Sequence, residues 1–153
     1  MTENEVMRET VKHANRVGEL MVNVTEKILL RAVHHDESKF SPEEWEGFAK
    51  YTPQLAKLTY GSVEYREALK NLQPYLDYHY ARNAHHPEHF GIGIKDMNLI
   101  DILEMLCDWK AATERHENGD LRASIELNSK RFGYGDDLKR MFYLTAVQLG
   151  WLV

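Results

Sequence analysis

The sequence predicts an all-α protein, on three observations. No stretch alternates apolar and polar residues for long enough to suggest a sheet. Only four prolines and nine glycines punctuate 153 residues. Apolar residues instead recur at helical spacing between recognisable cap signals. The expectation is one compact domain, 1–153, of six or seven helices.

The elements follow in order. Val6, Val17, Leu20, Met21 and Val24 carry a first helix over about residues 4–22. Asn23 with Glu26 three residues later resembles a capping box, so a second helix is predicted over about 24–36. Ser41-Pro42-Glu43-Glu44 is a stronger start, and that helix should stop near Tyr51-Thr52-Pro53. The next begins after Gly61-Ser62 and reaches about Asn83, with Pro74 kinking or splitting it. His85 to Lys95 reads as a loop. Asn98, with Asp101 three residues on, caps a helix to about Glu117, which Asn118-Gly119 stops. Two more helices occupy about 120–132 and 136–149, either side of Gly133-Tyr134-Gly135.

Composition narrows the function classes. With 43% hydrophobic and 28% charged residues the chain is an ordinary globular one, able to bury roughly 70% of its unfolded surface. No apolar run approaches the ~20 residues of a membrane span. The acidic, polar start is wrong for a signal peptide, and the one cysteine, Cys107, has no partner to oxidise with, so the cytoplasm is the expected compartment. A net charge of −5 argues against coating a nucleic-acid polymer.

The unusual feature is histidine. The chain has eight, six of them within 34–36 and 79–89. Asp101, Glu104 and Asp108 lie on one face of an otherwise apolar helix, where bare carboxylates are costly unless paired with a cation or metal. Service at the helix N-terminus accounts for Asp101 and extends at most to Glu104. Asp108 is too far along for it. His34-His35-Asp36 closes an apolar helix, with positions 35 and 36 continuing its inner stripe. His13 lies on the first helix, in line with Glu9. By itself such a residue reads as a core histidine, but with His35, Asp36 and Asp108 it completes a nitrogen and oxygen donor set suited to Zn, Mn or Fe. His79 shares a face with Leu72 and Leu76, and His85-His86-Pro87-Glu88-His89 follows in a loop with glycines that let it fold back.

These residues resemble the H…HD…D signature of the HD-domain superfamily of metal-dependent phosphohydrolases. Leu29 to Lys39 is similar to that family's apolar helix ending in HD-x-x-K, and Ile102 to Ala112 to its final metal-binding helix. His79, His85 and His86 stand in the order that binuclear members use for a second metal. More closely, the chain resembles a small, often phage-encoded helical family carrying HHDxSKF and HHPEH, here His34 to Phe40 and His85 to His89. The likeness covers about residues 9–117. Two departures matter. Gly91-Ile92-Gly93-Ile94 replaces the GYP continuation of cyclic-dinucleotide phosphodiesterases. Lys39 stands where several nucleotide monophosphatases of the superfamily carry an acid.

The resemblance implies one or two divalent metals (Mn, Fe, Co, Zn or Ni). His13, His35, Asp36 and Asp108 would hold the first; His79 with His85 or His86 would hold the second, with Asp36 bridging. The metal would activate water to attack the phosphate ester of a small metabolite, most simply a nucleotide or nucleoside monophosphate. Asp36 and Lys39 are then the catalytic residues, the lysine neutralising phosphate charge. Arg82 and Lys110 are weaker phosphate candidates, and Trp109 would stack a base. Two other readings are a mixed-valence di-iron oxygenase and a metal-stabilised phage binding protein without catalysis. A homodimer is compatible with each. A membrane or nucleic-acid partner is not expected.

Overall fold

A computed structural model describes residues 1–58, 62–115 and 119–153. Gly61, proposed to precede the helix reaching about Asn83, and the Glu117 and Asn118 of the predicted helix end lie outside the described residues; that helix stops earlier, at Thr113. The chain is all-α: six α-helices and no strand among the described residues. It divides into two compact units, residues 1–35 and 36–153.

The first unit is one helix, α1, over Glu3–His34. Thr2 caps it reciprocally with Glu5: the threonine hydroxyl accepts from the Glu5 amide at 3.4 Å, and the Glu5 carboxylate accepts from the Thr2 amide at 2.7 Å. The predicted break at Asn23 does not occur. A cap there would interrupt the backbone ladder and require a second costly nucleation. An interior Asn costs only a fraction of ~1 kcal/mol, and no Pro stands nearby. The Thr25 hydroxyl instead bonds back to the Met21 carbonyl at 2.9 Å, within the continuous helix.

The second unit opens at Asp36, the one non-glycine residue with positive φ among those described (57°). Asp and Asn tolerate this left-handed conformation better than other side chains. A short 3₁₀ turn, Glu37–Phe40, then leads to α2, Pro42–Leu55. That helix runs past the predicted stop, carrying Pro53 in its last turn. α3, Val63–Arg82, starts at a Ser62 cap and holds Pro74 without ending. The expected loop contains two further 3₁₀ turns, Pro87–His89 and Gly93–Asp96. α4 spans Leu99–Thr113, α5 Leu121–Phe132 and α6 Asp136–Gln148. At the start of α4, Asn98 accepts from the amides of Ile100 and Asp101, and Asp101 accepts from the Asn98 amide. Asp101 is therefore spent on the cap.

Two packing arrangements position the chemistry. Met105 and Leu106 of α4, Ile125 of α5 and Phe142 and Ala146 of α6 form a dry core, which fixes the face that α4 turns away from it. Between α2 and α3, Gly47 lets the Tyr75 ring lie directly on the α2 backbone. A Cβ at that position would meet the ring at 2.1 Å. Glu44 is one turn before Gly47, and His79 one turn after Tyr75, so the same close approach presses Glu44 against His79. Gly47→Ala is therefore expected to destabilise the fold by about 1–3 kcal/mol, the usual scale of overpacking. A denaturant midpoint equal to that of the parent chain would refute this.

Candidate metal centre

Within the second unit, single ligand atoms of Asp36, His79, His85 and His86 all lie within 4.8 Å of one another. The left-handed turn at Asp36 sets its carboxylate beside α3. His79 comes from the buried face of α3, while His85 and His86 come from the segment that follows it. The His79 and His86 Nε2 atoms are 3.0 Å apart. Asp36 Oδ1 is 3.2 Å from His79 Nε2 and 3.5 Å from His85 Nε2. Around an ion bound at about 2.0–2.2 Å, tetrahedral donors stand about 3.3–3.6 Å apart and adjacent octahedral donors about 2.8–3.1 Å apart. The observed spacings fall in or beside these ranges.

The outer nitrogens explain why the Nε2 atoms point inward. His79 is 1% exposed and its Nδ1 lies 2.8 Å from Glu44 Oε2. A carboxylate oxygen at this distance favours the tautomer that carries its proton on Nδ1. Asn83 Nδ2 (3.0 Å) and Ser38 Oγ (3.3 Å) also approach Nδ1, while Asn83 donates to Ser38 Oγ (2.7 Å) and to the His79 carbonyl (2.8 Å). His85, equally buried, holds its Nδ1 3.2 Å from Glu104 Oε1. With its proton on Nδ1, each neutral ring would turn a lone pair towards Asp36. Among the described residues no acid meets the outer nitrogen of His86. Burial first, then His85 and His79, push its imidazole down to about 2. It stays a neutral donor at ordinary pH. Lone pairs converging on a carboxylate repel unless a proton or a cation lies among them, and a divalent ion satisfies all four groups together.

Acidity accumulates around this point. One oxygen each of Asp36 and Asp108 lies within 4.8 Å of the other. The other Asp36 oxygen, Oδ2, accepts from Lys39 Nζ, which is also 5.2 Å from the Phe48 ring centroid. A metal-binding role for both Asp36 oxygens would compete with Lys39 for Oδ2.

A family model described as a family of unknown function (DUF5662) matches residues 2–148. The chain belongs to this family. No curated protein and no solved structure matches it. In this DUF5662 member the matched span contains every candidate ligand from His13 to Asp108.

The remaining sequence candidates are placed as follows. His13 lies exposed about a third of the way along α1, and His35 is the C-terminal cap of that same unbroken helix, so about 33 Å separates them and the expected sharing of one metal by His13 and His35 does not hold. Arg82 is exposed, with its guanidinium 3.3 Å from the Tyr78 ring centroid. Lys110 pairs with Glu114 at 2.7 Å, one turn on. Trp109 is partly buried against Phe132, Tyr134 and Phe142, at ring separations of 5.5–6.3 Å. Its indole packs the core, which leaves little ring face for the stacking expected of it. Glu44 was not singled out by sequence reasoning. In Ser41-Pro42-Glu43-Glu44 it reads as an acid serving a helix N-terminus, yet it is 0% exposed and its Oε1 has no hydrogen-bond partner among the described residues.

Proposed function

We propose that this DUF5662 member is a metal-dependent phosphohydrolase acting on a small phosphate ester, with a nucleotide or nucleoside monophosphate the best candidate. The observation that carries the reading is the gathering of three imidazoles around the Asp36 carboxylate, with one ligand atom of each group within 4.8 Å of the others, in a chain whose motifs resemble the HD-x-x-K order. Three nitrogens and one oxygen form a borderline donor set, suited to Zn, Fe, Mn, Co or Ni.

Asp36, His79, His85 and His86 would hold the ion. Asp108 completes the proposed ligand set from its place in the sequence signature, whereas His13 and His35, about 33 Å apart along the one continuous α1, cannot hold the same ion. A bound divalent ion supplies Lewis acidity and a nucleophile from water near neutral pH. The chain's own residues then orient and neutralise. Lys39 carries the positive charge nearest the carboxylate and would serve the phosphate oxygens, and the buried histidines keep bulk water from the donor atoms. With Trp109 engaged in packing, the base is better met by Tyr80. That ring is 4.9 Å from His86 and lines a groove of about 460 Å³ together with Glu88, His89 and Arg131.

The test is metal analysis of the purified chain combined with a screen of nucleotides and other phosphate esters in Mn and Co. Hydrolysis that follows metal loading and is lost with a chelator is the expected result. Bound metal without hydrolysis of any ester would remove the phosphohydrolase reading. Iron with O₂ consumption would replace it with the oxygenase reading.

A further inference from the structure

Every buried polar group needs a reason to be where it is, and Glu44 is the least explained in the chain. It is wholly buried, sits one turn into α2 and spends one oxygen on His79 Nδ1 at 2.8 Å. Its role at a helix N-terminus does not require burial, because the dipole acts as well at the surface. Its partner pattern is repeated across the site. Glu104, 10% exposed on α4, meets His85 Nδ1 at 3.2 Å. Two acids from two different helices thus grip the outer nitrogen of two different histidines. Those histidines are the ones whose inner nitrogens stand 3.2 and 3.5 Å from the same Asp36 oxygen.

We infer that Glu44 and Glu104 are positioning residues for a metal centre: each holds a histidine in the Nδ1–H tautomer and aims its Nε2 at the ion. The inference rests on the metal reading of the site and adds two residues that would not touch the ion. The physical reason is tautomer choice. A neutral imidazole has one proton, and the hydrogen bond made by one nitrogen decides which nitrogen keeps a lone pair. A buried carboxylate on Nδ1 also raises the basicity of the ligating nitrogen and fixes the ring plane. Other contacts fix His79 in place. Phe48 meets the imidazole edge-on at 5.9 Å, and Asn83 bonds the His79 carbonyl, so both the ring and its backbone are held. Gly47 lets α2 come close enough for Glu44 to reach.

The experiment uses the full chain. Imidazole ¹⁵N spectra of the metal-free wild-type protein, taken at about pH 8, above the ordinary histidine range, should show His79 and His85 protonated on Nδ1 and unprotonated on Nε2. Co(II) titration, read by visible absorption and by calorimetry, should show binding weakened about 10–100-fold in Glu44→Gln and in Glu104→Gln, the usual scale for such partners. Glu44→Asp should recover part of the loss, which a purely packing role would not produce. Wild-type spectra showing Nε2–H on both rings would overturn the inference even if neither variant folds. So would folded glutamine variants that bind Co(II) as tightly as wild type. A wild-type chain with the Nδ1–H tautomers that binds no Co(II) would sustain the positioning and defeat the metal reading, which keeps the two failures apart.

Discussion

Asp36→Asn is expected to leave the purified chain without stoichiometric divalent metal and to lower phosphate-ester turnover by more than ~10³-fold. That exceeds the ~10²–10³ typical of losing a single electrostatic contributor. Asn is the informative replacement because it tolerates the left-handed backbone at position 36 (φ 57°) as Asp does. The turn into the 3₁₀ segment therefore survives, and the change is confined to charge. Asn cannot offer an anionic oxygen to the point where the His79 and His85 Nε2 atoms converge. It also withdraws the charge that Lys39 pairs with. Metal content by elemental analysis and turnover on the best ester of the screen should fall together while the far-ultraviolet circular dichroism stays helical. A variant that retains metal and turnover would place the chemistry elsewhere.

The helical class and most element boundaries were legible in the sequence because they depend on local signals. Asn98 with Asp101 forms the capping box expected of it, and α5 and α6 begin and end within two residues of the expectation. What failed locally failed for identifiable reasons. Asn23 and Glu26 have the spacing of a capping box, but nothing there stops the ladder of α1. Pro53 lies inside the end of α2 because a proline close to a C-terminus disrupts few remaining bonds. The grouping of His79, His85 and His86 with Asp36 was legible because these types are conspicuous in any context, whereas His13 could share that place only if the chain turned back after the first helix, and α1 runs on unbroken to His34. It was not legible at Glu44. A glutamate in the first turn of a helix looks the same in sequence whether it faces water or a histidine. Only the approach of Tyr75 to Gly47, a tertiary event between residues 28 apart, decides which. Trp109 shows the converse. An aromatic on the motif-bearing helix invites a binding role, and the rings it packs against come from α5, α6 and the loop between them, far along the chain.

Lys39→Ala and Asp108→Asn are expected to separate two functions that the motif runs together. Lys39 donates to the Asp36 oxygen opposite the one facing the histidines, so its removal leaves Oδ1 and the three imidazoles in place. Asp36 then loses a competitor for its charge, and metal content should persist. Turnover should nevertheless fall by ~10²–10³, because a fixed cation aimed at developing phosphate charge in a partly enclosed site is worth that much. Asp108→Asn acts differently. It removes an anionic group whose oxygen lies within 4.8 Å of an Asp36 oxygen, so metal affinity and turnover should drop in parallel. The measurements are metal stoichiometry, then kcat and KM on one ester, for both variants. Equal loss of metal in the two would mean that Lys39 supports the ligand shell. Normal turnover in Lys39→Ala would make the lysine only a partner that screens Asp36. A chain in which Asp108→Asn lowers thermal stability and Lys39→Ala changes nothing would hold its metal for structure, and the phosphohydrolase reading would give way to the binding-protein one.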